Sequence, residues 1–305
     1  RPLYLFAGPP ETPPEPGDKV RVFPAGRVHR AGRIDVGSGQ TVYIAGGAVV
    51  QGHVRAADAT GIRILGPGIL DASHRRREKI TAVRLDRCRD VQVRDTLLID
   101  SFGWTVHLSQ CQDVKITNMK QVGWRANSDG IDVEASRNVN VSNSFLRNAD
   151  DCVAVKSTPP GDGRGVVTDG ILVEKSVFWN SLPGNAMEIG FELRGDVVRN
   201  VAFRDCDIIR VERGAAFSIH NGDNATVEDV LFENIRVEDV RGDFADLYIG
   251  LSIYSADCPN PYRRTDPQRQ RVPPELQDPV SGDNRGQWIV PEDKSQFASR
   301  RGHIR

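Results

Sequence analysis

A short cue that recurs along the chain restricts its architecture more than any other feature. A polar pair, often carrying Asp or Asn, is followed by an apolar–x–apolar step. It reads QTVYI at Val42, TGIRI at Ile62, RDVQV at Val91, QDVKI at Val114, RNVNV at Val139, DGILV at Ile171, RNVAF at Val201 and EDVLF at Val230. Successive intervals are 20, 29, 23, 25, 32, 30 and 29 residues. A period of this length, built from alternating Val/Ile steps instead of i, i+4 stripes, describes a β-solenoid with one coil per repeat. Leucine-rich repeats share the period, but their Leu/Asn consensus and helical half are missing. Propeller blades need ~40–50 residues each. The pattern predicts an all-β fold, a parallel β-helix over residues 20–254.

Two further columns agree with it. Asn118 and Asn143 follow the cue at one offset, joined by Asp95, Asp205 and Asn234. Stacked Asn/Asp at one turn satisfy turn amides and tolerate left-handed backbone angles. Cys88 and Cys111 each stand three residues before their cue valine and should stack, as buried thiols more readily than as a disulfide. The five cysteines form no Cys-x-x-Cys pair, so the usual zinc spacings are missing.

The ends differ from the middle. Residues 1–19 lack the pattern of a signal peptide and read as a linker entered from something upstream. Residues 255–305 are polar and without strand period, a lid or extension whose closing RRGHIR looks like the opening of a further coil. Forty Lys+Arg balance 41 Asp+Glu, which argues against a dedicated nucleic-acid binder. No stretch approaches the ~18 uncharged apolar residues of a membrane span.

Aligning the second strand of each coil maps the surface. Val106 and Leu108 match Ile131 and Val133, then Val153 and Val155, Met187 and Ile189, Phe217 and Ile219. If these point inward, strand alternation turns the residues between them outward. One outward column reads His107, Asp132, Ala154, Glu188, Ser218, and the next Ser109, Glu134, Lys156, Gly190, His220. The preceding turn stacks Trp104, Asp129, Asp151, Asn185 and Ala215, with Asp150 one position earlier. Asp129, Asp132, Asp150, Asp151 and Glu188 then gather on one outer face, on coils ~4.8 Å apart. Like charges that close raise at least one pKa, an arrangement useful for glycoside hydrolysis, where one carboxyl stays protonated and another activates water. Glu134 and Lys156 should form a mainly structural cross-coil ion pair. Trp104 and Trp124 either stack on sugar rings or pack, and His107 and His220 suit ligand hydrogen bonds better than metal.

The segment NSDGIDVEASRNVNVSNSFLRNADDCVAVKS, Asn127 to Ser157, resembles the catalytic core of family 28 glycoside hydrolases, the polygalacturonase-like enzymes. It is also similar to the family 49 dextranase and isopullulanase enzymes. The shared hallmark is an Asn-x-Asp-Gly-Ile-Asp strand followed one coil later by an Asp-Asp-Cys turn. Ser38 to Ser73 resembles the opening coils of the family. The resemblance implies a right-handed, pectin-lyase-like parallel β-helix and inverting hydrolysis without metal or cofactor. It makes Asp150 the general acid, with Asp129 and Asp151 holding or activating water. Trp104, His107, Trp124, Asp132, Lys156, Asn185, Glu188 and His220 are then the substrate-binding candidates.

Two motifs depart from the family. Gly184-Asn185-Ala186 stands in place of Gly-His-Gly, and Ala216-Phe217-Ser218 in place of Arg-Ile-Lys. Loss of those cations, which contact a uronate carboxylate, leads to the expectation of a neutral α-linked polysaccharide or oligosaccharide as substrate, dextranase-like, although Lys156, Arg125 and Arg194 could supply compensating charge. The alternatives are a polygalacturonase-type pectin hydrolase, a calcium-using polysaccharide lyase and a non-catalytic glycan-binding β-helix. The substrate class suggests a secreted or periplasmic location.

Overall fold

In the computed structural model, residues 3–256 are described except 9, 11–12, 75–79, 126, 159–164, 182–183, 251 and 253, together with 303–304. The chain winds as a parallel β-helix, three strands to a coil. One coil runs through Gln112–Thr117, Lys120–Val122 and Ile131–Glu134, the next through Arg137–Ser142, Phe145–Asn148 and Val153–Ser157. The first strands of the coils stack into a ten-stranded sheet, from Val20–Phe23 to His303–Ile304. The second and third faces join into one sheet of sixteen strands. They join because the long strand Val49–Ala57 pairs with Ile69–Asp71 through its first half and with Val83–Asp86 through its second.

The cue defines the first face. Val91, Val114, Val139, Ile171, Val201 and Val230 occupy one register column. The polar residue just before each has a local reason. Asp90, Asp113, Asn138, Asn200 and Asp229 sit at φ between 49° and 58°, with Gly61 and Gly170 at the same place. Left-handed backbone at each coil selects Asn, Asp or Gly there. The second column, Asp95, Asn118, Asn143, Asp205 and Asn234, is also left-handed. Asn118 Nδ2 donates to Asp95 Oδ1 at 2.6 Å, and Asn234 Nδ2 to Asp205 Oδ1 at 2.6 Å. One position departs from the period: Val42 pairs with Ile64 and not with Ile62, a two-residue offset that keeps the same side inward.

Inside, Ile64, Val93, Ile116, Val141, Val173 and Phe203 are fully buried. Cys88 and Cys111 are buried free thiols. At the start of the chain, Tyr4 and Phe6 lie against Phe145, and Tyr4 also meets Trp124 and Trp179. Most of the expected lid falls in residues 257–302, outside the described residues. The strand His303–Ile304 pairs with Thr226–Val227, one coil further on.

The left-handed column gives a direct test. Asn118→Ala removes the bond to Asp95 and places a Cβ-only residue at φ 54°, so it should destabilise the domain by about 1–2 kcal/mol. Asn118→Gly should cost less than Asn118→Ala. Thermal unfolding of both variants checks the order; equal losses would show that the hydrogen bond, not the backbone angle, carries the effect.

Candidate active site

The third face carries the candidate site, and its register is the expected one. Val106, Ile131, Val153, Met187 and Phe217 align, which places His107, Asp132, Ala154, Glu188 and Ser218 in one outward column. The turn before these strands is stacked by backbone bonds. Thr105 N donates to Asp129 O, Gly130 N to Asp151 O and Cys152 N to Asn185 O, at 2.8–2.9 Å. Glycine permits the close approach. A Cβ on Gly130 would stand 2.1 Å from Cys152 O, and one on Gly184 2.5 Å from Asp150 C.

These turns bring a carboxylate oxygen of each of Asp129, Asp150 and Asp151 within 4.8 Å of one another. Asp129 and Asp151 are buried, while Asp150 is half-buried. The backbone of the Asp150–Asp151 pair is held from two coils: Asn180 Nδ2 donates to Asp150 O at 2.7 Å, and Asn148 Nδ2 to Asp151 O at 2.6 Å. Asp151 Oδ1 accepts from the Asn185 backbone N–H at 2.6 Å. Asp129 Oδ1 is buried and has no hydrogen-bond partner among the described residues, an unsatisfied acceptor of a kind that native structures rarely leave without a reason. Burial, and then the neighbouring carboxylates, push Asp129 and Asp151 well above the usual aspartate range. The same oxygens could converge on one cation, but proximity alone does not make an acidic cluster a metal site.

Positive charge answers the cluster from beside it. Lys156 is buried, with Nζ 3.0 Å from Glu192 Oε2, 3.6 Å from Asp132 Oδ1 and 4.5 Å from the centre of the Trp104 ring. Burial disfavours the ammonium, yet Glu192, Asp132, Asp129 and Asp151 together hold its pKa well above the usual value. Asp132, also fully buried, is raised chiefly by burial, with Lys156 opposing. The expected Glu134–Lys156 pair is not what forms. The two residues are opposite in register, but a bulge in Met187–Leu193 makes Ser157 pair with Leu193 and swings Glu192 to Lys156. Glu134 instead meets His107, Oε2 to Nε2 at 2.9 Å.

Further along the same face, Asn185 Nδ2 donates to Glu188 Oε2 at 2.7 Å. His220 lies between Glu188 (Nδ1 to Oε1, 3.2 Å) and Asp246 (Nε2 to Oδ2, 2.7 Å), with Phe191 stacked on its ring at 4.3 Å. Burial works against its charge, but the two carboxylates prevail and raise its pKa to about 9. Trp104 packs edge-on against His107, 4.8 Å between ring centres, and roofs Lys156. Trp124 is separated from this group: it stacks on the Arg147 guanidinium at 3.8 Å, beside Tyr4, on the adjacent face. The periodic alignment does not anticipate Glu192, Phe191 or Asp246. The bulge hid the first two. Asp246 pairs with Ser218 one coil on, so carrying the outward column one repeat further would have found it.

The family model of glycosyl hydrolases family 28 matches residues 33–244. A polygalacturonase of Juniperus ashei is 25% identical over 203 residues, 59% of this chain and 38% of that protein. Among solved structures, the hyperthermoactive exopolygalacturonase from Thermotoga maritima superposes with a TM-score of 0.57 at 19% identity, covering 72% of this chain and 67% of that one. The endo-xylogalacturonan hydrolase from Aspergillus tubingensis gives a TM-score of 0.51 at 13% identity, covering 75% and 87%; likenesses at these identities speak for the fold. The chain belongs to family 28 of the glycosyl hydrolases, and its fold is the right-handed parallel β-helix of such enzymes. It spans 34–38% of the length of the first curated relatives it matches.

The crowding of acids has a measurable cost. A carboxyl whose folded pKa is raised contributes stability that is complete below its unfolded value, ~3.9, and lost as pH rises through the folded one. Asp129→Asn removes that loss. The variant should unfold at a higher temperature than the wild type at neutral pH, by about 2–4 °C for each kcal/mol relieved, and the gain should shrink in mild acid. Calorimetry at the two pH values checks it; a gain that is absent, or that grows in acid, would contradict the assigned direction.

Proposed function

We propose that this domain hydrolyses a pectic, galacturonan-type polysaccharide with inversion at the anomeric carbon. The observation that supports it most is the convergence of Asp129, Asp150 and Asp151, oxygens within 4.8 Å, in a family 28 domain. Three carboxyls so close titrate as a set and cannot all ionise together, so the site retains a proton to give. Asp150, half-buried at the turn and matching the family's acid, protonates the glycosidic oxygen as the bond to the anomeric carbon breaks. Asp129 and Asp151 orient a water and take its proton as its oxygen attacks that carbon from the other side. The leaving sugar departs as an alcohol, and solvent exchange returns the acid's proton.

The spacing is tighter than the ~6.5–9.5 Å typical of inverting pairs. That rule describes two carboxyls flanking the bond, whereas here two of the three act together on water. NMR of the first-formed anomer separates the outcomes, and a product of retained configuration would refute inversion.

The sugar assignment rests on the relatives, named as polygalacturonases. One set of observations favours the second reading, a neutral α-linked glycan. Besides the missing Arg-Ile-Lys and Gly-His-Gly motifs, the cations that could compensate are engaged: Lys156 by Asp132 and Glu192, Arg125 by Asp100, Arg194 by Asp223. Digestion of polygalacturonate, xylogalacturonan, dextran and pullulan decides between them, and turnover of the glucans alone would end the pectic reading.

Asp150→Asn should lower turnover roughly 10²–10⁴-fold, the usual scale of general acid catalysis, with binding of the polymer retained. A chelator should leave activity unchanged and no unsaturated product should form. Calcium-dependent release of unsaturated sugar would instead establish a lyase, and full activity in Asp150→Asn would remove the mechanism.

A further inference from the structure

Beyond the three aspartates, the third face carries a second arrangement of charge. Its outward column continues Asp132, Ala154, Glu188, Ser218, Asp246, an acid and a small residue in alternation. Where the small residue leaves room, the same strand supplies a cation two residues later: Lys156 after Ala154, His220 after Ser218. Lys156 serves Asp132 and Glu192. His220 serves Glu188 and Asp246, and Ser218 Oγ lies 2.8 Å from its Nδ1. Gly190 keeps this open, since a Cβ there would fall 2.6 Å from Glu188 Oε1 and 3.1 Å from His220 Cβ.

From His220 the contacts run to the catalytic turn. Glu188, fully buried, accepts from the Asn185 amide, and the backbone N–H of the same Asn185 is donated to Asp151. Asn185 is fixed at its other end, where its Oδ1 accepts from Ala215 N at 2.6 Å. We propose that His220, gripped by Asp246, is a positioning residue for Asp151: it holds Glu188 where Asn185 can bond both carboxylates, and it balances the negative charge that Glu188 brings beside Asp151.

The charged groups around Asp151 are Asp150, Asp129, Glu188 and Lys156. Those on His220 are Glu188 and Asp246. The Glu188–His220 pair links the two sets through hydrogen bonds, by way of Asn185. Withdrawing His220 leaves Glu188 as an uncompensated anion in a buried place, and an anion there disfavours a second anion on Asp151. Withdrawing Glu188 does the opposite.

The role rests on Asp151 being the water-activating carboxylate, but its test does not need turnover. Carboxyl-carbon NMR of isotope-labelled aspartate, with Asp151 assigned by its Asn variant, follows the Asp151 titration in the folded protein. His220→Gln should move the midpoint up, Glu188→Gln should move it down, and the double variant should return it toward the wild-type value. Where a polymer of the panel is hydrolysed, the acid limb of the rate profile should shift the same way. There kcat should fall by up to roughly 10²-fold, the scale of a small misplacement, with KM little changed. A midpoint that stays fixed in folded His220→Gln overturns the proposal. Should that variant not fold, a fixed midpoint in Glu188→Gln overturns it equally. Failure of the wild type on every polymer would count against the proposed hydrolysis, while the titration still decides the role of His220.

Discussion

In a parallel β-helix the interior must be filled by stacked apolar side chains while every strand hydrogen-bonds to the coil above and below, at ~4.8 Å. That spacing is the constraint from which the site follows. Asp129 and Asp151 are 22 residues apart in sequence and one coil apart in space, joined through the bond from Gly130 N to Asp151 O. No loop has to be ordered to bring them together. Chains that lack such a lattice place catalytic acids with long connections, each with its own ordering entropy. Here the core does the placing, and the turn needs only residues that tolerate the approach, such as Gly130 and Gly184.

The same regularity explains how far the sequence could be read. The cue revealed both the period and the inward side because its polar residue occupies a left-handed position, so chemistry narrows the choice to Asn, Asp or Gly at coil after coil. Register was legible for the third face, where Val106, Ile131, Val153, Met187 and Phe217 align as their spacing suggests. Legibility failed where the period itself failed. The offset at Val42–Ile64 sits near the first coils. The bulge in Met187–Leu193 gives Lys156 a partner, Glu192, that column arithmetic cannot supply. For Trp124, in the turn between two faces, the sequence left two roles open, and in the structure its ring stacks on Arg147.

Burial shapes the electrostatics of the floor more than exposure does. Outward residues of a strand are usually solvated, but Asp132, Glu188 and Ser218 are fully buried and His107 and His220 nearly so. Charges removed from water require partners, and on this face all of them but Glu192, which the bulge supplies, come from within the same two columns. The result is a string of local pairs, His107 with Glu134, Lys156 with Asp132 and Glu192, His220 with Glu188 and Asp246. The cluster of Asp129, Asp150 and Asp151 stands outside that string. Asp151 Oδ1 accepts from the Asn185 backbone N–H, and Lys156 lies near enough to bear on both Asp129 and Asp151.

That difference bears on what this face can accept. A cation already shared between two carboxylates has little left for a third, because each new anion must be drawn in against the charge of the two in place. Lys156 and His220 are both in this condition. A galacturonate ring would therefore have to bring its carboxylate to hydrogen-bond donors that are not ion-paired, whereas a neutral ring would meet no such demand. Similarity to polygalacturonases and the local chemistry of this face thus pull in different directions. Two polar side chains on this face are spent on their neighbours: Asn185 donates to Glu188, and Ser218 bonds His220.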